Sequence, residues 1–353
     1  MKPAVALLAL LLSAATAIPL VRKDMWWIRA FDFPRGQILV VGLATLAAYL
    51  SLWDALCPHD LLPLAALSAS VVYQALRMRP YTPLAARQVR DADARAVDPA
   101  ATLSLLVANV LMTNREAAAF LALARRYSPD LILTLETDDW WAAQLTALAA
   151  EYPHTVARPL PNTYGIMLHS RLPLAGAELR SLLKDDIPSL RVDVTLRSGQ
   201  VVRLFGLHPE PPYPDEARST TKRDAELLLV GKEAAPLQGP VIVAGDMNDV
   251  AWSYTTALFR KTSRLLDPRI GRGMFNTFHA RVPLIRWPLD HVFHSNHFTL
   301  LQLERGPAWG SDHFPVFIRL ALTPEAAPAQ PEPEPDADEQ ALADAKIADA
   351  LDE

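Results

Sequence analysis

Seven polar residues, Asn109, Glu136, His208, Asp246, Asn248, Asp290 and His313, stand at the ends of short apolar runs, with Asp312 beside the last. Their types are those that bind a hard cation, hold a phosphate or carry a proton. A phosphate ester is anionic and repels a nucleophile until its charge is neutralised. Mg²⁺ does this with few carboxylates, taking water and substrate oxygens as its other ligands. Glu136 is the natural ligand, with Asn109 and Asp312 as further oxygen donors. His313 suits proton transfer from a water if a carboxylate orients its ring, and Asp290 is the candidate partner. Asp246 and Asn248 would position the attacking water and the phosphoryl oxygens. His208 would stabilise developing charge or protonate the leaving group.

Taken singly, each residue has a plainer role. Asn or Asp after a strand forms turns, a lone Glu is a solvated loop charge, and a lone His is a hydrogen-bonded filler. Six such coincidences at strand ends favour one cleft over six unrelated turns.

The elements that must position them alternate. Thr102–Ala108, Leu131–Leu135, Tyr164–Leu168, Leu190–Leu196, Val201–Leu207, Val241–Ala244, His291–His294, Leu300–Leu303 and Pro315–Leu320 read as strands. Arg115–Tyr127, Asp215–Lys232 and Trp252–Arg260 carry helical spacing. Many strands with few helices between them predict an α/β fold, two sheets packed face to face with helices outside.

In this order the motifs resemble the endonuclease/exonuclease/phosphatase superfamily, the deoxyribonuclease-I-like fold. The resembling pieces are Ala108-Asn109-Val110-Leu111, Leu135-Glu136, Gly165 to Arg171, His208-Pro209, Gly245-Asp246-Met247-Asn248, Leu289-Asp290-His291-Val292 and Ser311-Asp312-His313. The resemblance implies a two-sheet sandwich, a Mg²⁺ or Mn²⁺ ion bound by Glu136, and in-line attack of water on phosphorus. It also implies that Asp246 and Asn248 serve the nucleophile and transition state, and that Asp290 and His313 form a carboxylate–imidazole pair. Leu135 departs from the pattern, since many nuclease members carry a polar residue there. Hydrophobic N-terminal spans liken the chain to bacterial membrane-anchored members of the superfamily.

Those spans hold much of the 51% apolar content. Residues 1–76 contain three hydrophobic runs, about 3–20, 38–56 and 61–76, each near the roughly 20 residues that cross a bilayer. Trp26, Trp27, Trp53 and Tyr73 flank them as interfacial aromatics. Residues 77–97 read as a linker, 98–322 as the catalytic domain, and 323–353 as an acidic Pro/Ala-rich disordered tail, with a short weak helix at most in Glu339–Leu351. Arg22, Lys23, Arg29 and Arg35 precede the second span, and Arg77, Arg79, Arg87, Arg90 and Arg95 follow the third. The positive-inside rule then puts a multi-pass protein in the bacterial inner membrane with its catalytic domain cytoplasmic. Cleavage after Ala15-Thr16-Ala17 would instead place that domain outside. Cys57 is the single cysteine, so an intrachain disulfide and a Cys-based metal site are both excluded.

Partners follow from local charge. Residues 98–322 carry 23 Lys and Arg against 23 Asp and Glu, which weakens a nuclease reading. Arg260, Lys261, Arg264, Arg269, Arg272, Arg281 and Arg286 form a basic stretch interleaved with Phe275, Phe278 and Trp287. Arg269 and Arg272 are its candidate substrate-binding residues. The stretch suits nucleic acid, an anionic lipid headgroup or a small phosphate. The bilayer is the other expected partner, and no protein partner is inferable. The reading is a membrane-anchored Mg²⁺-dependent phosphoesterase; the alternative is a catalytically silent, membrane-tethered scaffold of the same fold.

Overall fold

The computed structural model describes residues 2–51, 58–213 and 217–353. Trp53, Cys57, the end of the second hydrophobic run and the expected helix start at Asp215 lie outside them.

The N-terminal region folds as α1 (Lys2–Ala17), a short α2 (Trp26–Arg29), α3 (Arg35–Ser51) and α4 (Pro58–Met78). Lys2–Val21 and Pro58–Tyr81 are long and apolar enough to cross a membrane; Trp26–Asp32 with Arg35–Ser51 qualifies as one span bent by 64°. The three long helices pack around Ala9, Leu67 and Val71. Gly42 allows the close approach of α3 to α4, because a Cβ there would lie 3.0 Å from Val71. Polar groups inside this bundle bond one another: Gln74 donates to Thr16 and accepts from Arg35, which also pairs with Asp32 at 2.5 Å.

The rest of the chain builds two mixed sheets. One contains β1 (Thr102–Asn109), β2 (Leu131–Leu135), β3 (His154–Arg158), β4 (Ile166–Ser170), β10 (Phe298–Arg305) and β11 (Val316–Leu322), in the order β10-β11-β1-β2-β4-β3. The other runs β5 (Leu174–Ser181), β6 (Pro188–Thr195), β7 (Val201–Leu207), β8 (Val241–Asp246) and β9 (Asp290–His294) in sequence. Their facing residues, among them Leu105, Leu133, Val192, Leu204 and Ile242, form the central core. α5 (Ala117–Tyr127) and α6 (Asp139–Leu145) cover the first sheet, and α7 (Thr221–Ala234) and α8 (Tyr254–Ser263) cover the second. The result is the expected α/β sandwich.

β3 and β5 were not expected from the sequence. Both are edge strands, and β5 in particular leaves most of its residues solvent-facing, so neither shows the continuous apolar run of a buried strand.

Two composition-based readings need correction. The segment 77–97 is not a free linker: Tyr81 and Val89 are buried, and Ala92 donates to the Leu300 carbonyl. The tail is not disordered either. α9 (Ala337–Asp352) starts at a capping box formed by Asp336 and Glu339 and packs on α7. Lys346 reaches from it to Asp24 at 2.6 Å and Asp224 at 3.0 Å. Too little apolar surface for independent order does not prevent a helix from docking through small residues such as Ala343 and a buried cation.

Candidate active site

Strand direction brings the polar residues together. β1 and β2 are parallel, as are β7 and β8, so their C-terminal ends share one edge of the sandwich. β11 is antiparallel to β1 and β9 to β8, so the latter pair brings Asp290 opposite Asp246. Asn109, Glu136, His208, Asp246, Asp290 and His313 therefore meet at that edge. The first cost of this arrangement is backbone strain. Gly245 sits at φ +145°, and a Cβ would fall 1.9 Å from the Leu207 carbonyl oxygen. Glu136 and Asn248 themselves adopt left-handed conformations, at φ 60° and 50°.

Hydrogen bonds fix the cluster. The Asn109 amide donates to Glu136 Oε1 at 2.7 Å and to Asp246 Oδ2 at 3.1 Å. The Met112 N–H supports the other Glu136 oxygen at 3.2 Å. His313 Nδ1 lies 2.8 Å from Asp290 Oδ2, while its Nε2 faces Asp246 Oδ2 at 3.6 Å. His208 Nε2 stands 3.9 Å from the same Asp246 oxygen. Asn248 donates from its side chain to the Pro209 carbonyl, and its N–H bonds Asp246 Oδ1. Ser311 Oγ donates to the Asn109 carbonyl and accepts from the His313 N–H, tying two sides of the edge together.

Electrostatics separates the roles. Burial works against charge on His313, yet Asp290 and Asp246 outweigh it and raise the imidazole to about 10. Burial opposes charge on Asp246 as well, but His313 and His208 hold it below the ordinary carboxylate value. Burial raises Asp290 and Glu136. At neutral pH the edge thus carries an imidazolium beside an ionised Asp246.

A cavity of about 640 Å³ opens on this edge, lined by Glu136, His208, Asp246, Asn248, Asp312 and His313. Among the described residues no Lys or Arg lines it. Three carboxylates against a single imidazolium, with no Lys or Arg beside them among the described residues, fit a divalent ion. The donor set is hard oxygen, with Glu136 and Asp312 on the cavity wall; Asn109 stands behind them with its amide NH2 on Glu136 and its oxygen accepting from the Leu111 N–H. Asp246, Asp290 and His313 also lie within mutual ligand distance. Their geometry is that of a proton relay, because the imidazole N–H is already committed to Asp290.

Arg269 and Arg272 do not belong to the site. Arg269 is buried against Asp267 at 2.8 Å and against His291 Nδ1 at 2.7 Å. Arg272 bonds the Val89 carbonyl and Asp91. Both are spent on holding 77–97 and the 267–273 turn in place, a use that a charge count along the sequence does not reveal. Lys261 and Arg264 pair with Glu339 and Glu334 of the C-terminal segment. Arg281 and Arg286 differ: among the described residues they bond main-chain carbonyls rather than carboxylates.

The opposite cavity wall was not legible in the sequence. Phe33 and Pro34, from the turn before α3, join Tyr164, Phe278, Trp287 and Leu289 there. Phe278 lies tilted against the His313 ring at 4.9 Å, and Trp287 meets Phe33 edge-on at 5.4 Å. Only the aromatics at 278 and 287 were expected near the site. Arg223 was missed too; fully buried, it donates to the Asn248 carbonyl at 2.8 Å and pairs with Asp224 at 2.7 Å.

The chain is a two-sheet sandwich with helices on both faces, and an Asp–His pair stands beside an acidic cavity at one edge. The chain belongs to the Endonuclease/Exonuclease/phosphatase family, whose profile matches residues 106–313. A UPF0294 protein of Vibrio cholerae is 30% identical over 130 residues, which are 36% of this chain and 42% of that protein. The chain thus matches less than half the length of that relative. Among solved structures, an endonuclease/exonuclease/phosphatase from Beutenbergia cavernae superposes with a TM-score of 0.52 at 19% identity, covering 63% of this chain and 72% of that one. The human Nocturnin catalytic domain gives 0.52 at 18%, covering 64% and 97%. D. rerio TDP2 complexed with single strand DNA product gives 0.51 at 18%, covering 62% and 98%.

Proposed function

We propose that this protein is a membrane-anchored, divalent-metal-dependent phosphoesterase that hydrolyses a phosphodiester or phosphomonoester. The observation that carries the reading is the cavity beside the Asp290–His313 pair: three carboxylates, two histidines and no Lys or Arg among the described lining residues. An anionic substrate would be repelled from such a cavity unless a cation came with it.

Glu136, oriented by Asn109, would hold a Mg²⁺ or Mn²⁺ ion with Asp312, and the ion would neutralise phosphoryl oxygens and polarise phosphorus. Water adds to phosphorus in line with the leaving oxygen. Asp246, kept ionised by the neighbouring imidazoles, takes the proton of that water. Asn248 holds the water and a phosphoryl oxygen in register. His313, oriented by Asp290, presents a cationic N–H to the charge that develops in the transition state, and His208 offers a hydrogen bond from the other side of Asp246. The leaving oxygen takes its proton from solvent.

In this reading the apolar helices α1, α3 and α4 anchor the chain in the bacterial inner membrane, and the basic stretches at Arg22–Arg35 and Arg77–Arg95 keep the domain on the cytoplasmic side. The family match and the shared fold support phosphoester hydrolysis, and the helix lengths support the anchor. The test is hydrolysis by the purified full chain of a panel of DNA, RNA, phospholipids and sugar phosphates, with and without Mg²⁺. Turnover of none of them, or turnover indifferent to chelator, would refute the assignment.

A further inference from the structure

The cavity has two unlike halves. Its acidic half holds the chemistry described above. Its other half is apolar and is contributed partly by the segment that enters the membrane-spanning bundle. Phe33 and Pro34 stand immediately before Arg35, the first residue of α3. Phe33, Phe278, Trp287 and Leu289 share one hydrophobic cluster with Met78, the last residue of α4. The attachment is firm: Trp252 donates to the Asp32 carbonyl at 2.8 Å, Arg77 donates to the Trp252 carbonyl, and Tyr81 donates to the Ala251 carbonyl. The cavity is therefore fixed at the ends of two apolar helices.

A second, independent feature lies on the same side. The turn between Phe278 and Trp287 carries Val282, Leu284 and Ile285, which are 37%, 83% and 42% exposed. Its tip is held beside the first turn of α3, where Gln37 donates to the Leu284 carbonyl at 3.0 Å. Exposed large aliphatic side chains are unfavourable in water; next to a spanning helix they have a lipid to enter. Arg281 and Arg286 flank them; among the described residues both bond main-chain carbonyls and neither pairs with a carboxylate. An apolar tip between two cations matches the layering of acyl chains beneath anionic headgroups.

We propose that the substrate is a phosphate ester carried by a membrane lipid, with the headgroup phosphate at Glu136 and His313 and the glyceride portion against Phe33 and Trp287. The 279–286 turn seats in the bilayer at the cavity mouth. This rests on the phosphoesterase reading. In the reaction the oxygen of water bonds to phosphorus as the bond to the leaving alcohol oxygen breaks; Asp246 receives the water's proton and the alcohol is protonated from solvent.

The test uses the full chain with Mg²⁺ in detergent mixed micelles. Phosphatidic acid and phosphatidylglycerol are compared with their chain-less counterparts, glycerol 3-phosphate and glycerophosphoglycerol, and with a single-stranded oligodeoxynucleotide. The expected result is a kcat/KM at least about tenfold higher for a lipid than for its chain-less counterpart, since even a few buried methylenes supply that ratio. Phe33→Asp should collapse the ratio. The double variant Leu284→Asp, Ile285→Asp alters only exposed positions, so it tests the same point without endangering the core; it should reduce the ratio as well. Equal or faster turnover of the chain-less esters or of the oligonucleotide would overturn the lipid assignment and leave the phosphoesterase reading standing. No turnover of any ester would overturn both. An unchanged ratio in both variants would overturn the role of the apolar wall and turn.

Discussion

His313 and Asp290 sit 2.8 Å apart through Nδ1 and Oδ2, with the imidazole turned so that Nε2 points back to Asp246. Asp290 opens β9 of one sheet and His313 lies in the loop before β11 of the other, so the pair exists only when the sandwich has closed.

That pairing sets a pH dependence. The raised imidazole of His313, at about 10, is due to Asp290 and Asp246 overcoming burial, so its charge is present below that value and lost above it. Asp246 is held below 3.8, so it stays ionised down to lower pH. Activity should therefore extend well into the alkaline range. Asp290→Asn should bring the alkaline limb of kcat/KM down and lower the plateau by about 10²-fold, the usual effect of losing a proton-handling group. A pH–rate profile whose alkaline limb does not move in the variant would contradict the assigned roles.

Glu136→Gln keeps the size of the side chain and removes its charge. Turnover should fall by roughly 10²-fold or more, as expected when a metal's charge stabilisation is lost. Isothermal titration should show weakened Mg²⁺ binding, with an unfolding temperature near that of the parent. Parental Mg²⁺ affinity in the variant would remove Glu136 from the ligand set.

Glu226 offers a stability test away from the cavity mouth. It is buried in α7, and burial first, then Glu210, raise its carboxyl from 4.5 to about 8. Because the folded value exceeds the unfolded one, its contribution is complete below about 4.5 and disappears as pH climbs through about 8. Each unit is worth about 1.4 kcal/mol, so the loss should be visible as a falling Tm between about pH 4.5 and 8. Glu226→Gln should flatten that decline. A decline of equal slope in the variant would assign it to other groups.

Lys346→Met probes the docked C-terminal helix. It leaves Asp24 and Asp224 facing each other without the shared ammonium. Stripping one member from a buried ion pair costs about 3–5 kcal/mol, so Tm should drop by several degrees. A tail without fixed structure would leave Tm unchanged.

Much of the site was legible because its residues terminate buried strands. The runs before Asn109, Glu136, His208 and Asp246 are mostly apolar, and a polar residue after such a run stands out. The Asp290–His313 pair was readable for the same reason, since Asp290 opens β9 and His313 precedes β11, strands antiparallel to the central ones. What escaped was long-range. Arg269 looks like a free cation until the fold sets Asp267 and His291 against it. Phe33 looks like part of an interhelical turn until Trp287, more than two hundred positions later, closes on it. The tail composition argues for disorder, and nothing local announces that Lys346 has two carboxylates waiting.

The contact of Lys346 with Asp24 joins residues 322 positions apart. During synthesis Asp24 emerges first, together with the neighbouring apolar helices, and waits for its partner through the making of both sheets. Folding of the N-terminal bundle and docking of α9 are thereby separated in time. A chain ending before α9 would leave Asp24 and Asp224 without their shared ammonium.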